Sequence, residues 1–117
     1  MVSEHETVKP DPVLLLRYSA LTFNAHRIHY DLAYATGVEG YPALVVHGPL
    51  VATLLLDGLQ RARPGVLIRA FAFKGVRPLF HDQPFTINGR DDGNGKFSLW
   101  AANVQGELTM QASAELG

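Results

Sequence analysis

Asn24, His26, Arg27 and His29 fall within six positions of one another, and eighteen residues after His29 the chain reads His47-Gly48-Pro49 at the head of a long apolar run. One amide, two imidazoles and a guanidinium this close together contain groups for acid–base work and for holding negative charge. An imidazole near its ordinary pKa of about 6.5 takes up and returns a proton at neutral pH, so His29 is the expected base. Asn24 can orient a water through its side-chain carbonyl but cannot accept its proton. A helix opened by Gly48-Pro49 offers N–H groups without intrahelical acceptors at the positive end of its dipole. Gly48 also has no side chain to keep a carbonyl oxygen away. The bland readings stand beside these. A lone histidine in a small domain is more often a surface or hydrogen-bonded core residue, His26 is divided between local hydrogen bonding and substrate contact, and Arg27 serves equally well in an ion pair.

The elements that must position these residues follow from patterning. Residues 1–12 end in Lys9-Pro10-Asp11-Pro12 and are expected as a loose arm, because each proline disfavours helix in the residue before it. Val13 to Ala20 is short and apolar, and is expected as a strand buried on both faces, with a helical turn as the alternative. Tyr30 to Ala35 has helical character and stops at Gly37, which places His29 just before a short helix. Ala43 to Arg63 is expected as one long helix ended by Pro64-Gly65. From Leu50 to Gln60 its polar positions are only Thr53, Asp57 and Gln60, so it should be buried all round and wrapped by a sheet. The remainder is a meander of strands. Leu67, Phe71 and Phe73 share one face of the first, Asp91-Asp92-Gly93-Asn94-Gly95 signals a hairpin, and Leu108 to Leu116 alternates apolar with polar. The chain is thus a single α+β domain over 13–117, a long central helix against a curved antiparallel β-sheet.

Composition narrows the class. A net charge of −1 with scattered Lys and Arg gives no field for a nucleic-acid backbone. The absence of cysteine removes disulfides, thiolate metal sites and cysteine nucleophiles, and suits a cytoplasmic location. No stretch reads as a membrane span, and no carboxylate joins the histidines in a metal-ligand pattern. An apolar share of 47% in 117 residues leans toward burying one face in a second subunit, so a homo-oligomer is expected.

The stretch Phe23-Asn24-Ala25-His26-Arg27-Ile28-His29-Tyr30-Asp31, followed by His47-Gly48, resembles the signature of the MaoC-like, R-specific enoyl-CoA hydratase family of hot-dog folds. The sub-branch it looks like includes mesaconyl/itaconyl-type CoA hydratases and the mitochondrial 3-hydroxyacyl-thioester dehydratase. That signature begins with Asp, where this chain has Asn24; Ile28 and His29 match. The resemblance implies a hydro-lyase that reversibly adds water to a trans-2-enoyl thioester. His29 would be its base, Asn24 the partner that orients water, and the Gly48 N–H the donor to the enolate oxygen. His26, Arg27 and His47 would contact substrate, with CoA favoured over acyl carrier protein as the carrier, and no cofactor would be needed, CoA being part of the substrate. It further implies R stereochemistry and a site shared between two hot-dog domains. These belong either to a homodimer or to a heteromer with a second subunit that lacks the signature, since many relatives are double hot-dogs. Two other readings remain: a non-catalytic thioester binder that completes a partner's site, and a thioesterase, for which the only carboxylate near the helix is Asp57.

Overall fold

The computed structural model describes residues 3–21 and 27–117. Strand β1 (Ser3–Val8) is followed by helix α1 (Pro12–Leu21), a 3-10 turn (Arg27–His29) and helices α2 (Leu32–Gly37) and α3 (Gly48–Ala62). Strands β2 (Ile68–Gly75), β3 (Phe85–Gly93), β4 (Lys96–Ala102) and β5 (Leu108–Leu116) complete the chain. All pairings are antiparallel, in the order β1-β3-β4-β5-β2. The sheet is open, with β1 and β2 at its edges. Leu50, Val51, Leu55 and Leu59 of α3 join Phe85, Ile87, Phe97, Leu99, Met110 and Ala114 of the sheet in one core, so the expected α+β architecture with a central helix holds.

Four expectations change, each for a local reason. The supposed loose arm contains β1, which pairs with β3 from Ser3↔Arg90 to Val8↔Phe85. Its polar, charged sequence suits an edge strand rather than a free tail. The supposed strand at 13–20 is α1. Asp11 accepts from the Leu14 N–H at 2.8 Å and Pro12 takes the first helical position, an N-cap and N1 pair that outweighs the apolar run. The long helix starts at Gly48 rather than Ala43, because a helix running through Pro49 would drive its ring against the carbonyl of Val45. Residues 44–47 instead lie outside any helix and bridge to 79–81, with Val46 N–H donating to Leu79 O at 2.8 Å and His81 N–H donating to Leu44 O at 3.0 Å. Finally, α3 is not buried all round: Thr53, Asp57, Gln60 and Arg61 form an exposed outer face.

In β2, Leu67 lies before the strand and is exposed, while a bulge between Ile68 and Ala70 turns Ile68 and Phe71 toward the core. The hairpin after β3 forms as expected. Gly93, Asn94 and Gly95 take φ of 86°, 57° and 74°, the left-handed region that these residue types tolerate.

Candidate active site

Two short segments meet where the stretch 44–47, which bridges Val45 to Phe80, passes the 3-10 turn. The Val45 N–H donates to Ile28 O at 2.9 Å, and the Val45 carbonyl lies 2.7 Å from His29 Nδ1. A carbonyl only accepts, so Nδ1 carries the hydrogen and the neutral ring presents its lone pair at Nε2. His29 is buried, with 8% of its surface exposed.

His47 precedes the first helical residue of α3 and stacks on His29, with ring centroids 3.8 Å apart and planes 18° from parallel. The edge of Tyr18 meets its ring at 4.7 Å, and Ser19 Oγ shares a hydrogen bond of 2.7 Å with His47 Nε2. His47 is 1% exposed, and its Nδ1 has no hydrogen-bond partner among the described residues. Burial, and then the neighbouring His29 charge, pull its pKa down to about 4, so at neutral pH His47 is an uncharged ring.

Gly48 follows directly and is exposed. A side chain there would meet nothing nearer than the Met110 methyl at 3.9 Å, so a carbonyl oxygen can approach the backbone. The first N–H groups of α3 have no acceptor within the helix. The structure therefore brings His29, His47 and Gly48 together at one place. Arg27 lies on the outer side of the turn, where its guanidinium pairs with Asp31 at 2.8 Å and covers the Tyr34 ring at 4.2 Å. This pairing raises the Arg27 pKa and lowers that of Asp31. Asp31 also caps α2 by accepting from the Tyr34 N–H at 3.1 Å. Asn24 and His26 lie outside the described residues.

His47, read from the sequence as a substrate contact, sits behind His29 rather than on an open surface. Ser19 and the Val45 carbonyl were not among the residues singled out. With α1 recognised as a helix, Leu15 and Ser19, four positions apart, fall on one buried face. His81 is partly buried and accepts from the Leu44 N–H at 3.0 Å. A cavity of about 260 Å³ lies between the C-terminal half of α3 and strands β3 and β4, lined by Leu55, Gly58, Leu59, Ile87 and Leu99 among others. It includes none of the candidate residues.

Residues 2–81 match the family model for hydroxyacyl-thioester dehydratase type 2. The chain is 51% identical over 111 residues to the mesaconyl-C(4)-CoA hydratase of Chloroflexus aurantiacus, covering 95% of this chain and 39% of that protein. It is 40% identical over 102 residues to the mitochondrial hydroxyacyl-thioester dehydratase type 2 of Schizosaccharomyces pombe, covering 85% of this chain and 33% of that one. It thus spans between a third and two fifths of the length of these relatives. The unliganded R-hydratase PhaJ1 from Pseudomonas aeruginosa superposes with a TM-score of 0.87 at 16% identity, over 98% of this chain and 78% of that one. The fold is the hot-dog, and the chain belongs to the hydroxyacyl-thioester dehydratase type 2 family.

Proposed function

We propose that the chain carries the catalytic half of a hydratase/dehydratase that reversibly adds water across the C2=C3 bond of a trans-2-enoyl-CoA to give a 3-hydroxyacyl-CoA. The observation that carries this reading is the contact of buried His29 Nδ1 with the Val45 carbonyl, which makes Nε2 the basic nitrogen of the neutral ring, stacked on the residue that precedes α3. In the hydration direction, the water oxygen bonds to C3 as Nε2 takes one of its protons. The C2=C3 electrons move toward the thioester carbonyl as an enolate, whose oxygen is assigned to the Gly48 N–H. The imidazolium then returns its proton to C2, so one group serves as base and acid. Asn24 is assigned the orientation of water, and His26 and Arg27 contact with the substrate. The names of the two relatives support a thioester substrate, and that of the Chloroflexus protein supports CoA as the carrier. CoA enters as part of the substrate, with no further cofactor.

The relatives are more than twice as long as this chain, which supports a site completed by a second hot-dog domain, supplied by another copy of the chain or by a different subunit. The cytoplasmic setting is kept in this reading on the absence of cysteine. Thioesterase activity loses ground, because the Asp57 carboxylate is spent on an exposed pair with Arg61 at 3.2 Å on the outer face of α3. The non-catalytic reading predicts that His29→Ala binds thioester as well as the wild type does and that neither turns it over. The test is loss of the enoyl-thioester ultraviolet band with crotonyl-CoA and mesaconyl-CoA. We expect turnover in the wild type and a fall of about 10²- to 10⁴-fold in His29→Ala, the usual contribution of a positioned base. Equal rates in both would remove His29 from the mechanism.

A further inference from the structure

The face of the sheet turned away from α3 carries a second patch of chemistry, drawn by the strand register. Asn88 pairs with Trp100, Trp100 with Gln111, and Gln111 with Lys74, so these four stand in one row across β3, β4, β5 and β2. Directly paired residues point to the same face. Leu99 and Ala101, on either side of Trp100 in β4, are buried in the core, so the Trp100 row faces the other way. Arg90 and Ser98 pair in the next row of that face, with Ser113 and Ala72 beyond them. Arg90 is thus the diagonal neighbour of Trp100, about 7–8 Å from it. Lys74 lies on the other side of Trp100, two strand spacings of about 4.8 Å away. A groove of about 640 Å³ runs over both rows, lined by Trp100, Gln111, Lys74, Arg90, Ser98 and Ser113 among others.

Two cations and no carboxylate line this groove. Arg90 bonds Asp92 through Nε, which leaves its two terminal nitrogens to donate. Among the described residues the Lys74 ammonium has no ion pair, and the half-buried Trp100 indole has neither a hydrogen bond nor a ring partner, although an indole N–H usually finds an acceptor. An indole flanked by an ammonium and a guanidinium suits a flat aromatic base joined to phosphate: the base stacks and the phosphates meet the cations. Two cations are too few to follow a nucleic-acid backbone. We propose that the outer face of the sheet holds a binding site for a free purine nucleoside diphosphate, its base on Trp100 and its phosphates on Lys74 and Arg90. The groove is separate from the catalytic site. Met110, whose methyl would lie 3.9 Å from a side chain at Gly48, stands next to Gln111 in β5 and points to the opposite face. The proposal does not rest on the hydratase reading, and a second domain joined at the β2 edge would extend the sheet and leave this face open.

Trp100 is the only tryptophan of the chain, so its emission reads this groove alone. The purified chain is titrated with ADP, exciting at the red edge of the indole band where adenine does not absorb, and calorimetry measures the same affinity independently. ADP should quench the emission to saturation. Lys74→Ala and Arg90→Ala, both at exposed positions, should each weaken binding on the order of threefold to fivefold, as for exposed ion pairs. Added salt should act in the same direction. Trp100→Leu, followed by calorimetry, should weaken binding about tenfold to a hundredfold, the usual loss of one stacked base. Adenosine should bind more weakly than ADP. Quenching that does not saturate, equal affinity for adenosine and ADP, or an affinity unchanged in the Lys74→Ala/Arg90→Ala double variant overturns the proposal. So does an indole that iodide cannot quench, which would mean that a second copy of the chain covers this face. Circular dichroism on each variant separates a lost site from a lost fold. If Trp100→Leu does not fold, the double variant gives the decision.

Discussion

His47 is held uncharged by burial, and that has a consequence for stability in acid. Its pKa in the folded chain is about 4, against an ordinary value of 6.5. Above pH 6.5 the group is neutral in both states and contributes nothing. Between 6.5 and 4 the unfolded chain binds a proton that the folded chain refuses, so stability falls as pH falls, by about 2–3 kcal/mol at pH 4.5 from this residue alone. Asp31 and Asp92, whose pKa values are lowered below the ordinary 3.8, lose their stabilising contributions only at more acid pH and do not cloud this window. Urea midpoints at pH 7 and 4.5 should therefore converge in His47→Phe and separate in the wild type; equal separations would show that another group carries the acid sensitivity. The same residue shows what was legible at this scale. His29 and Gly48 could be picked out because an imidazole and a bare backbone at a helix start have few roles. Ser19, an alcohol in an apolar run, and the Val45 carbonyl, which is no side chain at all, gave no such signal.

The elements that carry the site were legible to the extent that their end signals were weighed against their interiors. Pro49 both marks α3 and forbids it further upstream, so the residues before it lie outside the helix and reach His29; an apolar run alone suggested a helix from Ala43. In α1 the same competition ran the other way, and Asp11-Pro12 decided for a helix that delivers Ser19 to His47. That cap is open to test. Asp11→Ala removes the acceptor for the Leu14 N–H and should cost about 1 kcal/mol in urea unfolding, the usual value of an N-cap. No loss of stability would mean that α1 is held by the packing of Leu15 and Ser19 instead. A core truncation on the other helix should be larger. Leu55 is 2% exposed inside the α3–sheet core, and Leu55→Ala should cost about 2–5 kcal/mol.

At the scale of the whole molecule, the open edge of the sheet and the length of the chain bear on the same question. The strand β2 hydrogen bonds to β5 on one side only, and beside it Phe73, Val76 and Leu67 are 48%, 45% and 77% exposed, an apolar border on an unpaired row of backbone groups. This exposed apolar edge makes β2 the edge at which we expect a second hot-dog domain to join. Composition hinted at a partner through the apolar share, but which surface is left over only emerges once the strand order is known. Light scattering on the eluting chain should give a dimer, and Phe73→Asp should shift it toward monomer while leaving far-ultraviolet circular dichroism unchanged. A wild type that is a folded monomer, inactive alone with either thioester, would instead direct the search to a second subunit, and activity appearing on mixing with that subunit would identify it.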